Sequence, residues 1–441
     1  MKLSIPKLQI SEEEGFTVND VFARKDFGER LASLIEQSDG ELVIALDAKW
    51  GEGKSTFIQM WQGHVGHQRE NKIKTIYFDA FANDYQKDPF LALIAEIYEQ
   101  LADESAEKQS KFKEKAGNAA KSMFRGAMKI GVRSLSAGIL DGSVVDSTEE
   151  GISELLSNQV DDIIADKLEN TNQDKQAIIE FKSYLEELAG EAGQPIVFII
   201  DELDRCRPDF SLELIEQIKH LFSVPGITFL LVLNREQLEE AVRTRYGQGI
   251  KASLYLQKFV GLWLGLPRKS EQYHDDGKKY VLHAINAMII TDEPFVNDDA
   301  VNLLLELVQY LKPSFREIEQ ILSYFALIHN LNKSNTYYAD YQDIFAFICY
   351  VKVVKPELSN KIMSNNIDAE SIIQEAGLID VPDDRYGHLE HLTKLIVFDL
   401  ADESTRHKMI EEGRISGRSY GRLSNNVIKN VCLWLSDMQI S

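Results

Sequence analysis

Apolar positions in this chain come first as short unbroken runs and later as helical stripes. "ELVIALDA" (Glu41 to Ala48), "TIYF" (Thr75 to Phe78), "IVFII" (Ile196 to Ile200), "GITFLLVL" (Gly226 to Leu233) and "LWLGLP" (Leu262 to Pro267) are the runs. Segments this short and this continuously apolar predict strands buried on both faces of a sheet. Between them the period changes. Phe57, Met60 and Trp61 fall at helical spacing, and Asp88-Pro89 opens a helix through "LALIAEIYEQL". Further helical patterns cover about Gly151 to Lys167 and Gln173 to Leu188. Strands alternating with helices predict an α/β fold with a mostly parallel five-stranded sheet. The core would occupy residues 1–268, with a charged, glycine-dotted insert at about 106–147. Helical periodicity then prevails, predicting a helical lid over 269–332 and a C-terminal helical domain over 333–441.

Composition narrows the class. Apolar residues make up 44% of the 441 positions, which favours packed cores over disorder. The net charge of −22 argues against wholesale wrapping by nucleic acid or anionic lipid. Cys206, Cys349 and Cys432 lie too far apart for metal-ligand spacing and form no disulfide framework. His388 and His391, three apart, read as an ordinary helix surface. "MKLSIPKLQI" is too short and broken for a signal peptide, and no uncharged apolar run reaches the ~18 residues of a membrane span. A cytoplasmic protein without a transmembrane segment is the expectation.

The first strand ends in "AKWGEGKST" (Ala48 to Thr56), which fits G-x-x-x-x-G-K-[ST] except that Ala48 replaces the first glycine. Such a loop turns backbone N–H groups toward phosphate oxygens, with a helix N-terminus behind them. Trp50, Gly51, Glu52, Gly53, Lys54, Ser55 and Thr56 would line it. Gly51 and Gly53 permit close approach, Lys54 would reach the β- and γ-phosphates, and the Ser55 hydroxyl would hold Mg²⁺. Ala48 removes no group that touches phosphate. An acid should complete the site, and Asp201 ends the most apolar run, where its carboxylate would reach Mg²⁺ through water. Glu202 follows as the candidate to polarise the attacking water, with Asp204 as runner-up. Asn234 closes the next strand, placed either to read the γ-phosphate or to cap the helix starting at Arg235.

Taken together with "FIIDELDRCRP", this loop resembles that of the KAP family of P-loop NTPases. "YFDAFANDYQKDPF", "FLLVLNREQLEEAV", "YLQKF" and "KPSFREIEQIL" extend the likeness over about Phe16 to Phe325. The resemblance implies an ATP-binding core of the additional-strand, AAA+/STAND-like type, with ATP and Mg²⁺ as ligands. It carries over Lys54, Ser55, Asp201 and Glu202 as binding and catalytic positions. Arg205 belongs to the Leu-Asp-Arg signature, and Arg316 looks like a nucleotide-sensing arginine on the lid. Three positions depart from the family: Ala48 for a usual glycine, and Glu202 and Asn234 where it often has Asp. The family context implies prokaryotic defence against phage or plasmids, beside separate effector proteins.

Many members carry transmembrane helices between the second strand and the acidic strand. Here Glu107 to Arg133 instead holds eight basic and two acidic residues. Lys121, Arg125, Lys129 and Arg133 recur every four positions, nearly one helical face. That stripe would meet a protein, nucleic acid or membrane, or pair with the chain's own acids. Arg205, Arg207, Arg243 and Arg245 are candidates to act in trans if ATP drives self-association. The chain reads as an ATPase driving assembly changes in a larger complex. The alternatives are a nucleotide-gated scaffold with negligible hydrolysis and a peripheral membrane organiser.

Overall fold

In a computed structural model of the chain, the five apolar runs are five parallel strands in one sheet. The structure describes residues 1–6, 10–11, 13–38, 42–70, 72–102, 104–136, 173–271, 274–289, 298–331, 338–382, 386–415 and 426–437. The strands are β1 (Val43–Asp47), β2 (Lys74–Asp79), β3 (Ile196–Asp201), β4 (Ile227–Leu233) and β5 (Leu262–Gly265). Their order is β2-β3-β4-β1-β5. β4 therefore lies between the loop-bearing β1 and the acid-bearing β3, the extra strand anticipated from the sequence.

Burial follows position in that order. β3 and β4 are buried at every residue, as central strands of a sheet covered on both faces must be. On one face Ile44, Leu46, Val197, Ile199, Leu230 and Val232 pack with Phe57, Ile58 and Trp61. On the other, their neighbours Val43, Ala45, Phe198, Ile200, Phe229 and Leu231 pack with Phe90, Phe112, Phe181 and Phe222. The alternation is the two-residue period of a strand, with both sides apolar because both sides are covered.

Helices fill the connections. α1 (Lys25–Glu36), a helix the apolar runs do not announce, precedes β1, and α2 (Lys54–Gly63) follows the loop. After β2 come α3 (Ala80–Asn83), α4 (Pro89–Gln100), α5 (Ala106–Ser136) and α6 (173–191). Asp88 caps α4 as its Asp-Pro pair predicts, its Oδ1 accepting from Phe90 N at 2.9 Å. The described part of the insert, Ala106–Ser136, is one long helix despite Gly117 and Gly126, because Phe112, Ala116, Ala119 and Ala120 bury against the sheet-covering cluster. The pattern at Gly151 to Lys167 lies outside the described residues; that at Gln173 to Leu188 is α6.

β3 leads to α7 (Pro208–Gln217), and β4 to α8 (Arg235–Tyr246) and α9 (Ala252–Leu256). A two-residue antiparallel ladder, β6 (Ser270–Glu271) with β7 (His274–Asp275), precedes the helices. These are α10 (Asp276–Met288), α11 (Asp298–Leu311), α12 (Phe315–Leu331), α13 (Tyr338–Val354), α14 (Pro356–Met363), α15 (Ala369–Ala376), α16 (Gly387–Leu400), α17 (Glu403–Glu411) and α18 (Val427–Asp437). One hydrophobic cluster from Val281 to Leu435 joins all of these but α17, whose Met409 packs with Leu395, Phe398 and Ile415. The amino terminus is tied to the same body: Met1 and Asn330 exchange hydrogen bonds, and Lys2 N donates to Met288 O.

Candidate functional site

Parallel pairing brings the carboxyl ends of the strands to one edge. Asp47 pairs with Leu233, Asp201 with Val232 and Asp79 with Asp201, so Asp47, Asp79, Asp201 and Asn234 share that edge. The loop Ala48 to Gly53 arches over it from β1. In open sheets of this kind, ligands bind outside the carboxyl ends of the strands.

The loop's shape rests on its glycines. Gly51 and Gly53 hold φ of 80° and 77°, left-handed values that are costly for other residues. A Cβ at Gly51 would also come 2.7 Å from Arg316 Cβ. Gly51→Ala is therefore expected to cost about 1–3 kcal/mol from backbone strain alone, and to displace α12 from the loop. Thermal unfolding checks the first part; a wild-type midpoint would contradict it. Ala48, by contrast, continues the ladder, its N–H donating to Leu233 O at 3.2 Å.

Lys54 folds back under the arch. Its Nζ donates to Ala48 O at 2.6 Å and to Lys49 O at 3.2 Å. Burial pulls its pKa below the ordinary lysine value, opposed by the charges of Asp204, Asp201 and Asp47. A cation held this way has carbonyl partners it can exchange for phosphate.

Ser55 and Asp201, the two residues expected to hold magnesium, are neighbours, and the Ser55 hydroxyl helps hold the Asp201 carboxylate in its charged form. Asp201 is buried, with Tyr77 Oη donating to its Oδ2 at 3.1 Å and Glu202 N to its Oδ1 at 2.8 Å. Burial pushes this carboxyl above its ordinary range, partly offset by those hydrogen bonds. A buried anionic oxygen beside a hydroxyl, at the foot of a phosphate loop, fits a magnesium ion, whose hard oxygen-ligand demand it meets. Ser55 and Asp201 are the residues that would hold it.

Glu202 stands in the left-handed region at φ 59°, unusual for a residue with a side chain. That turn carries the chain from β3 into the short helix Leu203–Arg205, and Arg205 reaches back to Glu202 Oε1 at 2.8 Å. Burial raises the Glu202 pKa and the Arg205 charge works against it. Asp204 is engaged elsewhere, accepting from Trp50 Nε1 on the loop. Cys206 contacts the Glu202 carbonyl at 3.6 Å, and burial pushes its thiol far above the ordinary value, so it packs rather than attacks.

Other anticipated residues fall around this centre. Asn234 caps α8, its Oδ1 accepting from Glu236 N at 3.1 Å, while its side chain stays at the strand edge. Arg316 is exposed at the start of α12, against Gly51. Thr56 follows in the first turn of α2. Each arginine considered for action in trans has a partner in its own chain: Arg205 has Glu202, Arg207 has Asp84, Arg243 has Glu239 and Glu240, and Arg245 has Asp209.

Two residues escaped the sequence reading. Arg24 N-caps α1 and is 3% exposed; its Nη1 donates to Glu52 O at 3.1 Å and its Nε to Pro267 O at 3.1 Å. Arg268 pairs with Glu52 Oε1 at 2.5 Å and donates to Pro313 O at 2.8 Å. Neither stands in a motif, so only the fold reveals them.

The insert resolves into an intramolecular zipper at its start. Lys108, Lys111 and Lys115 of α5 pair with Glu191, Glu187 and Glu180 of α6. Lys121 is exposed, whereas the side chains of Arg125, Lys129 and Arg133 lie outside the described residues. Among the described residues no helix is long and apolar enough to cross a membrane.

The profile of the KAP family P-loop domain matches residues 24–332. No curated protein sequence matches the chain. Similar solved structures include Cdc6p from Pyrobaculum aerophilum, at 12% identity and a TM-score of 0.41, covering 99% of this chain and 98% of that one. The ORC2 protein of Aeropyrum pernix with ADPNP and ADP is another, at 14% identity and a TM-score of 0.39, covering 98% of this chain and 99% of that one.

Proposed function

For a chain that belongs to the KAP family of P-loop NTPases, we propose ATP binding and hydrolysis, with the nucleotide state driving assembly of a larger complex. The observation that carries this reading is the convergence of Lys54, Ser55, Asp201 and Glu202 at one strand edge. Lys54 exchanges its loop carbonyls for phosphate oxygens. Ser55 and Asp201 hold magnesium, which when bound offsets the charge of the phosphates. Glu202 accepts a proton from the attacking water as the γ-phosphoryl group leaves, yielding ADP and inorganic phosphate. The ion pair to Arg205 engages Oε1 and lowers the basicity of the carboxylate, so hydrolysis is favoured when this ion pair opens. Equilibrium titration with ATP tests the first step: binding should tighten with magnesium, and equal affinity with a chelator present would contradict the Ser55–Asp201 assignment.

The Glu202–Arg205 pair also favours a second reading, a nucleotide-gated scaffold that binds ATP and hydrolyses it negligibly. A partner that drew Arg205 away would convert the one into the other. ATP-dependent self-association supplies such an event: Arg205, Arg207, Arg243 or Arg245 of one copy would face the phosphates of the next. Light scattering with a slowly hydrolysed ATP analogue and magnesium should reveal a species larger than the nucleotide-free one. An unchanged monomer across a broad concentration range would remove the trans arginine. A setting in prokaryotic defence, with other proteins of that system as partners, follows from the family resemblance and completes the proposal.

A further inference from the structure

Resting on the nucleotide reading above, we infer that Arg268 is a positioning residue that carries the state of the phosphate loop into the helical lid, with Glu52 as the part of the loop it reads. Glu52 sits between the two left-handed glycines, so its carboxylate and carbonyl move with the arch. Arg268 grips the carboxylate with Nη1 and the carbonyl of Pro313 with Nη2, and so joins the loop to the turn two residues before α12. Arg24 grips the carbonyl of the same Glu52 and the carbonyl of Pro267, the residue before Arg268. The two guanidiniums also bracket a stacked pair of rings. Arg24 lies 4.6 Å from the centroid of Phe22, Phe22 stacks on Phe315 at 4.4 Å and 13°, and Arg268 lies 4.8 Å from Phe315. Phe315 begins α12, and the next residue, Arg316, touches Gly51. One packed column thus runs from the N-terminal segment through the loop's supports to the lid.

The column has spare valences. Arg24 Nη2 and Asp276 Oδ1 are both buried without a hydrogen-bond partner, although Lys279 Nζ stands 3.6 Å from the latter. They carry opposite charges in the same seam, at the start of α1 and the start of α10. Unmet buried hydrogen-bonding groups are costly, so a second arrangement of the seam that satisfies them is within reach of a modest input. Phosphate supplies that input. When Lys54 leaves Ala48 O and Lys49 O, the arch loses the two ties its lysine supplies, and Glu52 shifts relative to Arg268 and Arg24. Coupling of this kind requires a physically connected element with two arrangements, which the column provides.

Hydrogen exchange of α10 and α12, with and without a slowly hydrolysed ATP analogue and magnesium, tests the inference. In the wild type the analogue should slow exchange in both helices. Arg268→Gln should still bind the analogue, about tenfold more weakly, within the usual size of a coupling free energy, but should lose that slowing. Arg268→Lys, which keeps the charge, should recover most of it; a merely structural role would instead lower protection equally with and without analogue. If Arg268→Gln fails to fold, Glu52→Gln breaks the same pair with an isosteric side chain, and the same loss is expected. A full lid response in either variant, or a wild type that binds the analogue with no lid response, overturns the inference alone. A wild type that binds no nucleotide overturns the functional reading and this inference with it.

Discussion

Replacing Lys54 with alanine should abolish ATP binding at any practical concentration. The lysine is the loop's own cation, held 2.6 Å from Ala48 O and buried enough to pull its pKa down. Without it, the phosphate loop offers a multiply charged phosphate chain no cation of its own, beside a row of carboxylates at Asp47, Asp201 and Asp204. Truncating one side of a buried charge pair costs about 2–5 kcal/mol or more, which is roughly a 30-fold to several-thousand-fold loss of affinity. Isothermal titration measures it directly. The fold should survive, because the hydrogen bonds of Lys54 go to carbonyls of the loop itself and not to the sheet or the helices behind it. Affinity within a few fold of wild type would mean that the arch does not hold phosphate in the manner proposed.

Glu202→Gln is expected to do the opposite: bind ATP as the wild type does and turn it over on the order of a hundredfold more slowly, the usual size of a general-base loss. The amide keeps the shape of the turn and a hydrogen bond for Arg205 but cannot take a proton. Single-turnover and steady-state phosphate release separate the chemical step from binding. Wild-type turnover in this variant would pass the role to Asp204, which sits two residues on and holds Trp50 of the loop. The left-handed backbone at Glu202, a strained choice for a non-glycine residue, fits a position whose geometry serves chemistry rather than stability.

The sheet was legible because burial on both faces leaves an unambiguous mark: "IVFII" and "ITFLLVL" are continuously apolar, too short to span a membrane, and buried at every residue. The loop was legible because its chemistry demands glycines at fixed offsets from a lysine, and Gly51 and Gly53 take the positive φ that this demand implies. What remained hidden depends on contacts between segments far apart in sequence. Arg24 and Arg268 meet at Glu52 across 28 and 216 positions, and no local period encodes such a meeting. The insert shows a second limit. Its basic stripe pointed to a helix whose stability Gly117, Gly126 and Gly131 lower on propensity alone, yet Phe112, Ala116 and Ala120 pack on the core and Lys108, Lys111 and Lys115 find acids on α6. Tertiary packing outweighed a propensity cost of about 1 kcal/mol per glycine. Asn234 illustrates a third: the sequence offered both a cap and a phosphate reader, and the structure displays the cap.

The central claim, that this strand edge is a working ATP site and not merely an ATP-holding one, meets its most direct test in phosphate release by the purified full chain. The measurement uses excess ATP and magnesium over a range of protein concentrations. Release should continue well past one phosphate per chain, stop when the magnesium is chelated, and accelerate with protein concentration as copies assemble. Tight ATP binding with release that never exceeds one phosphate per chain at any concentration would contradict it.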